Sequence, residues 1–312
     1  MAGALTHMAI VRKAHGKVVS IKELKNTLVE NKDFVMLGSV SPDIPYLSHT
    51  RIMKNLLSEG KIADVHWADI MHYLCSKSLV ENAIHTLSVT RKNANWYAQL
   101  AWLLGYVSHL VADATVHPVV ELIVGPCARE ASMKDHRICE MTQDVLVMQQ
   151  AENNSVHTSD FAGFIAGCGM RSEYDAVMEF WSKHLHISMP MLSSPDMSSY
   201  TDSYLTMIDL ADGGTIAKAC RHLGIDLAFQ RPEDVVPAAR SKYYASVPLP
   251  TGQRDASFYD DVFMKAVDQT VSVWMKMYNS LFTKQNVVFQ LPDWNLDTGV
   301  DRITGTQTIW RS

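Results

Sequence analysis

Apolar residues recur at three- and four-residue intervals through most of this chain, the spacing that gives a helix one buried face. The pattern predicts helices over 6–15, 21–30, 63–88 and 94–114, then over 132–152, 157–168, 172–187, 198–222 and 257–282. In 94–114 the apolar stripe is Trp96, Leu100, Leu103, Leu104, Val107 and Val111; in 257–282 it runs from Phe258 through Val262, Val267 and Trp274 to Tyr278. Pro118 lacks an amide donor and should end or kink its helix. Gly125-Pro126, Pro190, Pro195, Gly213-Gly214 and Pro248-Leu-Pro250 separate the pieces. Only Val287–Leu291 resembles a strand, and it is short. The pattern therefore predicts an all-α, compact multi-helix bundle. The segment from Asp293 onward is irregular and polar, and either folds back over a site or lies at the surface.

Polar residues interrupt the apolar faces at informative places. The run His109-Leu-Val-Ala-Asp113-Ala-Thr-Val-His117-Pro118 is followed, within one hairpin, by His136-Arg-Ile-Cys-Glu140. Residues four apart lie one turn above each other, so His109, Asp113 and His117 project to one side, drifting roughly 40° per step. His136 and Glu140 form a second such pair, which Asp144 extends. With the turn at Gly125-Pro126, the two helices run antiparallel and face each other. Imidazole nitrogen and carboxylate oxygen suit zinc; iron and manganese accept the same ligands. Further candidates come earlier. Asp43 sits between prolines in Ser41-Pro-Asp43-Ile-Pro45, His7 lies near the start, and His66 opens His66-Trp-Ala-Asp-Ile-Met-His72. On that last segment His72 rivals His66, and His66 is favoured. Asp144 either accepts the ring N–H of a ligand histidine or is an exposed helix carboxylate. Such a set can fill more than one metal position, and metals bridged by a carboxylate are a means of cleaving phosphate esters.

In order and local spacing, Asp43, His66, the His109/Asp113/His117 run and the His136/Glu140 pair resemble the zinc-dependent phospholipase C family, which is related to zinc-dependent single-strand nucleases. The resemblance covers roughly residues 1–150, the expected metal-binding helical core; 151–312 is a helical C-terminal half packed on the same domain. The resemblance implies a compact α-helical fold and two or three zinc ions. It implies that Asp43, His66, His109 and Asp113 hold one zinc, that His117, His136 and Glu140 hold a second, and that His7 with a bridging Asp113 holds a third. The family completes that third position with an N-terminal tryptophan; the residues before His7 here are Met-Ala-Gly-Ala-Leu-Thr, so water would complete it. The implied reaction is hydrolysis of a phosphodiester by a metal-activated water, with Asp43 orienting or deprotonating that water.

Composition narrows the partners. A net charge of −5, with basic residues dispersed, argues against electrostatic capture of nucleic acid. A small phosphate ester or a phospholipid is the expected substrate, and a single-strand nuclease or nucleotidase using the same metals is the alternative. A non-catalytic helical protein stabilised by metal is a third reading, but structural zinc sites are usually closed and cysteine-rich. The cysteines, at 75, 127, 139, 168 and 220, are scattered and read as reduced thiols. No stretch approaches the ~20 apolar residues of a membrane span, and no signal peptide is seen. A cytoplasmic location is the expectation.

Overall fold

The computed structural model describes residues 3–47, 67–126, 130–152, 158–212, 232–283 and 288–311. Its helices are α1 (Ala4–Val18), α2 (Lys22–Glu30), α3 (Lys32–Val40), α4 (Ile44–Leu47), α5 (Trp67–Tyr73), α6 (Ser76–Val89), α7 (Ala94–Val124), α8 (Glu130–Glu152), α9 (Thr158–Gly169), α10 (Tyr174–Ser188), α11 (Met197–Asp212), α12 (Pro237–Arg240) and α13 (Met264–Phe282). Among the described residues the only sheet is a two-residue antiparallel ladder, β1 (Val300–Asp301) with β2 (Thr306–Gln307). The fold is all-α, as the pattern predicts. Buried apolar side chains from Leu5 to Trp310 form one continuous core.

Helix α7 is its axis. Asn93 starts it by accepting a hydrogen bond from the Trp96 amide at 2.9 Å. Apolar residues surround the helix on all sides, the mark of a helix with no solvent face. Nearly every side chain from Leu100 to Val120 is buried. By length and apolarity it alone, among the described residues, qualifies as a membrane span, although most of it lies inside the protein. Reading for an unbroken apolar run overlooked it because His109, Asp113 and His117 interrupt the run.

Helix α3 crosses α7 at backbone contact. A Cβ on Gly38 would stand 2.0 Å from the Trp102 carbonyl oxygen, and one on Gly105 would stand 2.1 Å from that of Val35. Only hydrogen fits at either position. The crossing sets the 3-10 turn at Ser41–Asp43 beside the middle of α7. The sequence pattern passed over α3 because Phe34–Leu37 is a short continuous apolar run, which has no helical period of its own.

Other departures have local causes. The predicted helix over 63–88 divides into α5 and α6 at Leu74-Cys75, whose amides both bond the Ile70 carbonyl at 2.9 Å. No glycine or proline marks that break. Pro118 does not end α7, which continues to Val124. Its missing amide leaves the Ala114 carbonyl without a helical partner, and there the C-terminal segment docks. Gly299, at φ 65°, leaves no room for a Cβ against that oxygen, and the Trp310 indole donates to the Thr115 carbonyl at 2.9 Å. The segment from Asp293 thus folds back, burying Trp294, Leu296, Ile309 and Trp310. Residues 288–291 form no strand, and residue 287 lies outside the described residues. Cys75, Cys139 and Cys168 are buried free thiols; Cys127 and Cys220 lie outside the described residues.

Candidate metal centre

Four elements deliver polar side chains to one buried point. His7 comes from α1, Asp43 from the turn after α3, His72 from α5, and His109, Asp113 and His117 from one face of α7. All six are at most 5% exposed. Asp113 is the hub. Its Oδ1 lies 3.3 Å from His7 Nε2 and 3.3 Å from His117 Nε2. Its Oδ2 lies 3.1 Å from His109 Nε2 and 3.6 Å from His72 Nε2. Asp43 Oδ1 is 3.3 Å from His72 Nε2 and 3.9 Å from His109 Nε2.

Backbone carbonyls decide which nitrogen each ring turns inward. His109 Nδ1 donates to the Ser39 carbonyl at 2.9 Å, His72 Nδ1 to that of Ala68 at 2.7 Å, and His117 Nδ1 to that of Leu296 at 2.9 Å. A carbonyl only accepts, so the proton resides on Nδ1 and a neutral ring presents the Nε2 lone pair to the cluster. These lone pairs then face carboxylate oxygens, acceptor against acceptor, at little more than 3 Å. Such an arrangement is repulsive unless a cation stands among the groups, either protons or a metal. Buried His7 Nδ1 and Nε2, Asp43 Oδ1 and His117 Nε2 make no hydrogen bond. The donor set, imidazole and carboxylate without sulfur, is that of zinc and related divalent metals. Two overlapping groups, His7/Asp43/His109 and His72/His109/Asp113, each bring three ligand atoms within 4.8 Å of one another.

Electrostatics follow the geometry. Burial works against charge on Asp113, but His117 and His109 hold its carboxyl well below the usual carboxylate range. Burial likewise resists charge on Asp43, and His109 and His72 keep it lowered. Burial opposes protonation of His117, yet the Asp113 charge raises it above an ordinary histidine.

Of the residues singled out in the sequence, His7, Asp43, His109, Asp113 and His117 converge here. His136 and Glu140 form their own pair on α8, His136 Nδ1 standing 4.0 Å from Glu140 Oε1. His136 has the opposite tautomer: Nε2 donates to the Gly125 carbonyl at 2.6 Å, leaving buried Nδ1 without a hydrogen bond and turned to Glu140. His66 lies outside the described residues. The residue beside Asp43 is His72, the rival named on the same segment.

Asp144 is neither a partner of a ligand ring nor an exposed carboxylate. It is buried and caps α1 from α8, accepting from the Leu5 amide at 3.2 Å, the Thr6 amide at 2.9 Å and the Thr6 hydroxyl at 2.6 Å. Gly3, which precedes α1, has no side chain to do this; a Cβ there would lie 2.1 Å from the Asp144 carboxylate. The cap fixes the first turn of the helix that carries His7. Burial pushes the Asp144 carboxyl up to about 7 against these three donors.

An open cleft of about 430 Å³ is lined by Pro118, Glu121, Leu122, Pro126, Pro250, Thr298 and Gln307.

The family model for zinc dependent phospholipase C matches residues 6–187, more than half of the chain. The chain belongs to the zinc-dependent phospholipase C family, and at that level it is a zinc-dependent hydrolase. Comparison with curated proteins and with solved structures gives no match.

Proposed function

We propose that the chain hydrolyses a phosphodiester in phospholipase C fashion, at a centre of two or three zinc ions. The observation that carries the reading is Asp113, a buried carboxylate with four inward-facing imidazoles within 3.6 Å of its two oxygens. His7, Asp43, His72, His109, Asp113 and His117 would hold zinc, with Asp113 as the bridging ligand. His136 and Glu140 would extend the set from α8. Bound there, zinc supplies positive charge to phosphoryl oxygens and acidifies water.

The chain's own groups do the rest. Asp113, held well below the usual carboxylate range, keeps its charge at any pH of interest and so stays a ligand. The carbonyls of Ser39, Ala68 and Leu296 fix three rings in the ligating tautomer before any metal arrives, so little reorganisation accompanies binding. Asp43, also lowered, is a good hydrogen-bond acceptor. It would orient or deprotonate the attacking water. The cleft lined by Pro118 and Leu122 would receive the leaving group. Its lining of prolines and Leu122, with no basic residue among them, suits a lipid ester better than a nucleic-acid strand.

The test is hydrolysis of phosphatidylcholine vesicles and of single-stranded DNA, before and after chelation and zinc restoration, for the native chain and Asp113→Asn. Zinc-dependent release of a water-soluble phosphate ester from the vesicles, lost in the variant, is expected. Cleavage of DNA alone would transfer the site to the nucleases. A chain that binds zinc and cleaves neither would overturn the proposal.

A further inference from the structure

The family match ends at residue 187, yet one wall of the metal centre is built by residues more than a hundred positions later. His117 projects from α7 with its Nδ1 edge toward the C-terminal turn. There Nδ1 meets the Leu296 carbonyl at 2.9 Å and Asp297 Oδ1 at 3.6 Å. Asp297 Oδ1 also accepts the Tyr73 hydroxyl at 3.3 Å. Tyr73 follows His72 on α5, so this one carboxylate links the segments of two candidate ligands. The turn presenting it is well determined. Asn295 Oδ1 accepts the amides of Asp297 and Thr298 at 3.0 and 3.3 Å, and the Gly299 amide bonds the Asn295 carbonyl at 2.8 Å. Gly299 in turn rests on the carbonyl that Pro118 leaves without a helical partner.

We infer that Asp297 is a positioning residue of the metal centre: the Leu296 carbonyl takes the His117 Nδ1–H, and the Asp297 carboxylate, 3.6 Å from the same nitrogen, adds its charge there, favouring the ring orientation in which Nε2 is the ligating atom. A negative charge beside the far nitrogen of a ligand imidazole raises its basicity, and loss of a partner that accepts that ring N–H typically lowers metal affinity by about 10–100-fold. The inference rests on the metal-centre reading given above. It adds that the domain's last segment takes part in metal binding, beyond covering the core.

The experiment is a zinc titration against a competing chelator for the full chain and the variants H117A, D297N, H117A/D297N and R302A. Arg302 pairs with Asp293 in the same segment without touching His117, so R302A reports loosening of the segment alone. The expected result is a loss of roughly tenfold in affinity at one zinc equivalent in D297N, the low end for a partner of a ligand ring, because the Leu296 carbonyl keeps the ring N–H. R302A stays near native, and D297N has no further effect once His117 is gone. If H117A itself binds zinc normally, the metal-centre reading fails. If H117A weakens zinc and D297N does not, or if D297N and R302A weaken it equally, or if the D297N effect persists without His117, the positioning role is overturned. Should D297N not fold, Tyr73→Phe removes the hydroxyl bonded to the same carboxylate; unchanged affinity there overturns the proposal, and a partial loss supports it.

Discussion

His7 and His109 stack face to face, ring centroids 4.0 Å apart and planes within 10°. One ring comes from the first helix and the other from the middle of the seventh, and both are wholly buried. Stacked imidazoles that also face Asp113 cannot all be protonated cheaply and cannot all be neutral without opposing lone pairs. Zinc should therefore stabilise the fold as well as equip it. Zinc at a hundred times its Kd should add about 3 kcal/mol of stability, visible as a chelator-sensitive rise in Tm. His7→Ala should shrink that rise, and a Tm indifferent to zinc and chelator would argue against the cluster as a binding site.

His72 stands 3.3 Å from Asp43, whereas His66, which the sequence favoured as ligand, lies outside the described residues. His72→Ala should lower the zinc content measured by elemental analysis, and His66→Ala should leave it near native. The reverse result would assign the ligand to His66 and make His72 a packing residue.

The α3–α7 crossing is the mechanical support of the site, because the Ser39 carbonyl that fixes the His109 ring sits one residue past Gly38. Gly105→Ala places a methyl against backbone, which cannot rotate away. Overpacking of this sort typically costs about 1–3 kcal/mol, occasionally more, and here the upper end is expected. A lower urea midpoint with weaker zinc binding is the predicted signature; a lower midpoint with unchanged zinc affinity would separate the crossing from the site.

Asp144 gives the zinc-free protein a pH dependence of definite sign. Its folded pKa of about 7 stands above the ordinary 3.8, so between those values the folded chain binds a proton that the unfolded chain has released. Stability from this group is thus full below about pH 4 and declines as pH rises toward 7. Asp144→Asn keeps an acceptor for Thr6 and removes the titration. Urea midpoints of the variant should fall less than those of the native chain over that range. Parallel profiles would mean that the three donors keep Asp144 ionised throughout.

Much of the fold was legible because helical periodicity is local: α1, α8, α10 and α13 lie close to where their apolar stripes predict them. The candidate ligands on α7 were legible for the same reason, since a four-residue spacing on a helix is already a three-dimensional statement. What periodicity could not reveal depends on partners distant in sequence. Asp144 reads as one more helix carboxylate until α1 is laid against it. Asp297 sits in a polar stretch without period. Pro118 predicts an end to α7, but the C-terminal segment covers the carbonyl it leaves unpaired. The choice between His66 and His72 turns on which ring faces Asp43, which no spacing encodes.

The hydrogen bond from His117 to the Leu296 carbonyl spans 179 residues of chain. At roughly 5–20 residues per second of synthesis, that interval is on the order of 10 to 35 seconds. During that time the nascent chain already carries His109, Asp113 and His117 but lacks the wall that orients the last of them. The centre is therefore unfinished while most of the protein is being made. Metal bound before residues 296 and 297 are made would meet a His117 ring that the Leu296 carbonyl does not yet orient.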